Sequence, residues 1–354
     1  MSGLTFPYCP GTLADNKEEG YSKTAINRVF YGKKVSPILP YAPPATDEAT
    51  AEQFVENRKR ISISGVQEKL SFILDKNKLR LTKEEEQGTF ILKPIPRDLK
   101  NVGQLPANEH LTMQIARQVY AIPTAENALI FFKDGTFEPT LEPTKKAILK
   151  PTPTPAYITK RFDVKPDGKK WGIEDFSSLS GRSAENSGSD YKYGLSYEAM
   201  AELLKQYVPA YPVEREKLFR LVVFNYLFSN GDAHLKNFSL IETPEGDFQL
   251  SPAYDLVNTQ LHVDDTDFAL DGGLFKDEFE SEAMKKSGHP GQDDFLELAK
   301  RMGISDKRAI KLLDPFLNTQ DKVEELVNRS YLDSKTKRGY LQLYQEKRNC
   351  LKAE

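Results

Sequence analysis

The chain has 354 residues, 29% of them charged, with a formal net charge of −3 and a pI near 6.0. That length supports a sizeable core in two units or one large two-lobed domain, and the slightly acidic balance argues against a protein that grips nucleic acid with its own surface, because phosphate neutralisation needs a basic face. Cys9 and Cys350 sit at opposite ends and match no zinc spacing; with neither a signal peptide nor an apolar run that could span a bilayer, they predict a soluble protein of a reducing cytoplasm.

Residues 1–45 read as a loosely structured lead-in. Phe6-Pro7-Tyr8-Cys9-Pro10-Gly11 is turn-rich, 23–31 suits one short helix, and Pro37, Pro40, Pro43 and Pro44 prevent regular structure beyond it. A single cysteine in such a stretch is more often structural than a metal ligand. Residues 47–59 read as a charged helix or linker.

The run Ile61-Ser62-Ile63-Ser64-Gly65-Val66-Gln67-Glu68-Lys69-Leu70-Ser71-Phe72-Ile73-Leu74 places two β-like stretches around a Ser/Gly turn. Such a loop can close over phosphates, although serines alternating with core isoleucines more ordinarily mark a hairpin. A Lys- and Glu-rich turn at 75–87 leads to Thr89-Phe90-Ile91-Leu92-Lys93-Pro94. Lys93, ending a buried strand, suits a point charge on nucleotide phosphates, whereas a lone strand-end lysine is usually just solvated.

Residues 107–120 form an amphipathic helix, with Leu111, Ile115 and Val119 at i, i+4, i+8. Glu109 lies in its first turn, where it favours the positive end of the helix dipole; it is also placed to orient Lys93. Strands are expected at 128–132 and 157–163, separated by a Pro-rich stretch at 133–156 that reads as an exposed insertion. A short element at 171–180 and a Ser/Gly-rich loop at 181–194 precede helices at 197–207 and 213–228. The second of these is apolar on all faces near its end, so that part is buried, and Asn225 inside it needs a partner.

The helix stops at Ser229-Asn230-Gly231, and Asp232-Ala233-His234-Leu235-Lys236-Asn237 leads into a hairpin of 238–241 and 248–251, closed by Pro252-Ala253-Tyr254-Asp255. Taken singly, Asp232, Asn237 and Asp255 are as well explained as turn residues or caps. Together they sit at one edge of the hairpin, in the layout of a phosphotransferase site, where one carboxylate receives the acceptor proton while an amide oxygen and a second carboxylate hold magnesium. His234 with Asp232 and Asp255 would alternatively serve a metal hydrolase, but His110, His262 and His289 are not at helix-ligand spacing. The acidic, turn-rich stretch 261–288 suits a moving loop. Surface helices are expected at 293–301, 306–313 with Ser305 as N-cap, 320–330 and 334–351. The outline is a β-rich first half and a helical second half.

Six motifs in this order resemble the HipA-like serine/threonine kinase toxins of bacterial toxin–antitoxin systems: Ser-Ile-Ser-Gly-Val-Gln-Glu-Lys at 62–69, Phe-Ile-Leu-Lys-Pro at 90–94, Asn-Glu-His-Leu-Thr-Met at 108–113, Lys-Arg-Phe-Asp at 160–163, Gly-Asp-Ala-His-Leu-Lys-Asn-Phe at 231–238 and Pro-Ala-Tyr-Asp at 252–255. The resemblance implies an α+β, bilobal protein-kinase-like fold, with an N-terminal segment and linker at 1–60, a β-rich N-lobe at 61–162 and an all-α C-lobe at 163–354. It implies ATP and Mg²⁺ as cofactors, Lys93 on the ATP phosphates, Asp232 as catalytic base, and Asn237 and Asp255 as metal ligands. The backbone around Lys160 and Phe162 would meet the adenine, and His234, Tyr254, Ser64 and Gly65 would lie near the nucleotide.

The resemblance further implies autophosphorylation on the serine loop, at Ser62 or Ser64, which ejects the loop and silences the enzyme. A phosphoserine's charge of about −1.5 to −2 beside ATP phosphates makes that repulsion physical. The Ser-Ile-Ser form looks like the shorter HipT branch. Longer HipA proteins carry an extra β-rich subdomain ahead of this loop, which in the HipT branch is a separate small protein. The implied partners are therefore a protein substrate on the precedent of an aminoacyl-tRNA synthetase, a HipB-like helix-turn-helix antitoxin, a small HipS-like protein, and DNA only through the antitoxin. A small-molecule phosphotransferase of the antibiotic-kinase kind, or a catalytically silent kinase fold that only docks an antitoxin, remain as alternatives.

Overall fold

The computed structural model describes residues 6–16, 20–41, 43, 69–96, 100–133, 154–165 and 167–353. The charged stretch 47–59, the loop bearing Ser62, Ser64 and Gly65, and residues 134–153 of the Pro-rich insertion lie outside the described residues. The chain divides into two compact units, one of 1–110, 126–161 and 329–332, the other of 111–125, 162–328 and 333–354.

The first unit is built on a six-stranded sheet. Its strands are β1 (Ile38–Leu39), β2 (Leu70–Asp75), β3 (Lys78–Leu81), β4 (Phe90–Lys93), β5 (Asn127–Phe132) and β6 (Pro155–Lys160), in the spatial order β1-β5-β6-β4-β2-β3. All neighbours are antiparallel except β1, which runs parallel to β5. Phe90 and Leu92 of β4, Ala156 and Ile158 of β6, and Ala128, Ile130 and Phe132 of β5 join one core. Period-two alternation then turns Lys93 to the other face, where it lies opposite Tyr157 in the register.

The lead-in departs from its sequence reading. Helix α1 (Lys23–Val29), started by Ser22, whose hydroxyl accepts from the Ala25 amide at 3.3 Å, brings Ala25, Val29 and Phe30 into that core. Cys9 is fully buried and accepts from the Ser22 amide at 3.1 Å. The Tyr21 hydroxyl donates to the Leu129 carbonyl at 2.6 Å. Pro37 and Pro40, two of the prolines that suggested looseness, are bends on either side of β1. Strand β3 was hidden for a different reason. It is an edge strand whose charged residues face outward, with Arg80 bridging to Glu86 at 2.7 Å, so only two leucines alternate in it. Strand β6 also begins inside the expected insertion, at Pro155.

The second unit is mainly helical and holds a small sheet of β7 (Ile173–Asp175), β8 (Ser239–Glu242) and β9 (Phe248–Leu250). Helix α2 (Leu105–Gln118) contributes its later turns to this unit. Two short helices come next, α3 (Phe176–Leu179) and α4 (Ala184–Ser187), the latter inside the expected Ser/Gly loop. Helices α5 (Tyr197–Tyr207) and α6 (Tyr211–Leu227) match expectation, and every residue of α6 from Leu221 to Leu227 is buried. Helix α7 (Glu282–Ser287) lies within the stretch read as an acidic loop.

Helices α8 (Gln292–Arg301), α9 (Asp306–Leu317), α10 (Asp321–Arg329) and α11 (Ser334–Leu351) complete the chain. They are more than a surface layer. Phe316 of α9 stacks on Tyr120 at 4.6 Å, and Tyr344 of α11 stacks on Phe228 at 5.2 Å. Helix α9 runs four residues past its expected end, through Pro315, which removes one hydrogen bond but leaves buried Phe316 to hold the last turn. Ser305 occupies the N-cap position without a side-chain capping bond. Among the described residues no helix is long and apolar enough to cross a membrane.

Because Phe30 is fully buried in the first core, Phe30→Ala is expected to cost about 3–5 kcal/mol in denaturant unfolding. A cost near zero would return 20–41 to the status of a loose lead-in.

Candidate functional site

In the first unit, β4 delivers Lys93 and the first turns of α2 deliver Glu109. Their side chains meet in an ion pair, Lys93 Nζ to Glu109 Oε1 at 2.6 Å, with only 5% and 4% of the side-chain surfaces exposed. The ammonium also lies 5.4 Å from the centre of the Tyr157 ring. The pairing anticipated for these residues is thus present. Next to it, His110 is 1% exposed and lies against the Gly11 backbone. Burial pushes its pKa down to about 3.

At the end of β6 the Lys160 ammonium lies 3.8 Å from the centre of the Tyr31 ring, and burial lowers its pKa. The Lys160 amide donates to the Glu126 carbonyl at 2.7 Å and the Arg161 amide to the Thr89 carbonyl at 2.9 Å. Both backbone donors are thus committed to carbonyls of the same unit.

In the second unit the apolar helix α6 ends in a tight turn. Ser229 adopts a left-handed conformation with φ 52°, and a Cβ on Gly231 would come within 2.5 Å of Asp265 and 2.6 Å of the Thr266 carbonyl, so only glycine fits there. The Thr259 hydroxyl donates to the Ser229 carbonyl at 3.0 Å and accepts from the Gly231 amide at 2.9 Å. Asn225 finds its partner in Asn230, whose amide nitrogen donates to the Asn225 side-chain oxygen at 3.0 Å and reaches the Asp255 carbonyl at 3.4 Å. The turn that presents Asp232 is thereby tied to the backbone of Asp255, itself left-handed with φ 55°.

Asp232 keeps 53% of its side-chain surface open. Its Oδ1 accepts from the Tyr193 hydroxyl at 3.2 Å, with His234 Nε2 at 3.9 Å. Its backbone carbonyl accepts from the His234 amide at 2.8 Å and from the Asn237 side-chain nitrogen at 3.1 Å. Partial burial raises its pKa, opposed by the Lys192 cation and the Tyr193 hydrogen bond and reinforced by the Asp255 charge. His234 is nearly buried, and burial followed by Lys192 lowers its pKa to about 4, so the imidazole is neutral at ordinary pH. The Tyr254 hydroxyl donates to the Lys236 carbonyl at 2.9 Å and lies 2.6 Å from the Ser239 hydroxyl, while its ring packs on Phe162 at 5.7 Å. Burial raises the Tyr254 pKa.

Asp232, His234, Asn237, Tyr254 and Asp255 are therefore gathered at one end of the β8–β9 hairpin, joined by hydrogen bonds or by mutual charge. The donor set fits a hard cation. With its nitrogen committed to the Asp232 carbonyl, Asn237 has its side-chain oxygen left to offer, and Asp255 adds a carboxylate. Sequence reasoning missed Asn230, Thr259 and Tyr193. For Asn230 the need of Asn225 for a partner was a usable signal; Tyr193, in a Ser/Gly-rich loop, gave none.

Residues 61–324 match the model of the HipA-like C-terminal domain. The chain belongs to that family. A Haemophilus influenzae protein named "Putative kinase" is 26% identical over 327 residues, covering 88% of this chain and 87% of that protein. The serine/threonine-protein kinase toxin HipA of Shewanella oneidensis is 25% identical over 215 residues, covering 59% of this chain and 46% of the toxin, so the match spans less than half of that relative. Among solved structures, a chain of the S. oneidensis toxin–antitoxin complex of HipA, HipB and operator DNA superposes with a TM-score of 0.58 at 19% identity, covering 88% of this chain and 73% of that one. The HipA-like fold is accordingly α+β and kinase-like, as expected from the sequence.

Two of the buried histidines, His110 and His234, set a pH dependence. Unfolded, each binds a proton near pH 6.5; folded, His234 resists until about 4 and His110 until about 3. The unfolded chain therefore holds more protons between those values, so stability is complete above pH 6.5 and falls as pH drops toward 4, by up to about 1.4 kcal/mol per pH unit for each group. Denaturant unfolding at pH 7.5 and 4.5 is expected to show the loss, and His110→Leu to reduce it by about half.

Proposed function

We propose that this HipA-like chain is an ATP-dependent serine/threonine protein kinase, acting as the toxin of a HipBA- or HipBST-like toxin–antitoxin system. The observation that carries the reading is the buried Lys93–Glu109 pair. Removing both an ammonium and a carboxylate from water is costly and seldom stabilises a fold on balance, so the pair is best explained by what it does. In kinases such a pair holds the lysine for the nucleotide phosphates, and it must be formed for activity. Here it is formed.

In the second unit Asp232 is placed to receive the acceptor hydroxyl's proton, a contribution of about 10²–10⁴-fold for a positioned base. Asn237 and Asp255 would hold Mg²⁺, which when bound supplies charge neutralisation on the transferring phosphoryl group. Beside them stand the neutral His234 and Tyr254, the latter anchored by the Lys236 carbonyl. Lys93 balances phosphate charge, and Glu109 keeps it from wandering. The Ser62–Gly65 loop would cover the phosphates, with Ser62 or Ser64 as the self-phosphorylated residue of a HipT-type loop. An aminoacyl-tRNA synthetase is the acceptor that the family resemblance favours. A HipB-like antitoxin and a HipS-like protein are the partners it favours, the HipA neighbour having been solved with HipB and operator DNA.

Purified protein incubated with ATP and Mg²⁺ is expected to incorporate phosphate at Ser62 or Ser64, read by mass spectrometry, and Asp232→Ala to lower that rate by about 10²–10⁴-fold while remaining folded. Retained transfer in folded Asp232→Ala would sink the mechanism. Efficient phosphorylation of a small alcohol without self-modification would favour the antibiotic-kinase alternative, and ATP binding with no turnover the silent docking module.

A further inference from the structure

Asp232 is exposed on one side and carries two torsions, so something must fix its carboxylate. Its backbone is held by His234 and Asn237, but those bonds stop at the carbonyl. The side chain has one hydrogen-bond donor among the described residues, the Tyr193 hydroxyl at 3.2 Å from Oδ1. Oδ2 is left open.

Tyr193 is itself held from several directions. Its amide donates to the Asp190 carbonyl and its carbonyl accepts from the Leu195 and Asp271 amides, each at 2.9 Å. The preceding residue, Lys192, accepts at its carbonyl from the Leu235 amide at 3.0 Å, which ties the loop to the segment just after His234. The phenol ring meets the buried His234 imidazole edge-on at 5.5 Å and 72°, and the Lys192 ammonium lies 4.9 Å from its centre. A hydroxyl fixed by so many contacts to its ring and backbone is a rigid reference point for a mobile carboxylate.

We propose that Tyr193 is a positioning residue of the acceptor site: by holding Oδ1 of Asp232 it aims Oδ2 at the incoming serine or threonine hydroxyl. This rests on the kinase reading given above. It assigns a task to the 188–195 loop and to its Lys-Tyr pair. It also explains why the loop is stitched to Leu235 and Asp271 in place of hanging free. Misplacing a reacting group by about 1 Å can cost on the order of 100-fold in rate.

The test uses the full chain with Mg²⁺ and ATP. The readouts are single-turnover self-phosphorylation and affinity for a non-hydrolysable ATP analogue. Tyr193→Phe keeps the ring against His234 and removes only the hydroxyl. It is expected to slow transfer by about 10- to 100-fold and leave analogue affinity unchanged. In the Asp232→Ala background the same substitution is expected to change the residual rate by less than about twofold, because a residue that acts through Asp232 has nothing left to act on. A wild-type rate in Tyr193→Phe, or an equal loss in both backgrounds, overturns the proposal. A wild-type chain that binds ATP and transfers no phosphate overturns the kinase reading instead. Crystal structures then decide the positioning: one unchanged Asp232 rotamer in wild type and Tyr193→Phe overturns it, and a carboxylate ordered only in the wild type supports it.

Discussion

One amide does much of the organising in the second unit. Asn230 comes three residues after the end of the apolar helix α6. Its side-chain nitrogen bonds back to Asn225, inside that helix, and forward to the Asp255 carbonyl. A buried polar group without a partner costs roughly 1–3 kcal/mol, so Asn225 is tolerated in α6 only because the turn closes onto it. The same closure fixes where Asp232 departs and where Asp255 arrives. Two carboxylates far apart in the chain are thus referred to one point, and left-handed backbone at Ser229 and Asp255 is the local conformational cost.

The first unit solves a related problem with charge in place of an amide. Lys93 ends a strand whose Phe90 and Leu92 are committed to the opposite face, and Glu109 comes from the opening turns of a helix. Neither would be stable alone at 4–5% side-chain exposure. Each makes the other's burial acceptable, so strand end and helix start are set relative to each other by chemistry and not by packing alone.

Much of this was legible in advance. The clustering of Asp232, Asn237 and Asp255 about one hairpin, the Lys93 strand end and the Glu109 helix start could be read from residue type and order. Helices α5, α6 and α11 were equally plain from periodicity. What stayed hidden were features decided by tertiary partners. The prolines around α1 look like breakers until Cys9, Tyr21 and Phe30 are seen to need the sheet. Strand β3 is too charged to announce itself, because its charges are satisfied along an open edge. Pro315 ends a helix on paper, yet Phe316 behind it has a core to fill. The contact of Tyr193 with Asp232 spans 39 residues, and no local pattern encodes a bond across that distance.

Residues 329–332 belong to the first unit although they come after most helices of the second. Phe6, Phe131 and Tyr331 form one aromatic cluster, the Tyr331 hydroxyl donates to the Tyr8 carbonyl, and Arg329 pairs with Asp15 at 2.9 Å. The sheet of this unit is complete in the chain by Lys160, yet its last aromatic piece arrives roughly 170 residues later; at a synthesis rate of about 5–20 residues per second that is a delay of roughly ten to thirty seconds. A nascent chain on the ribosome therefore carries a first unit that lacks part of its packing until nearly all of the second has emerged. Maturation of the two units is coupled in time by the order of the chain, and a chain released before residue 329 lacks a piece of its first unit as well as its final helix.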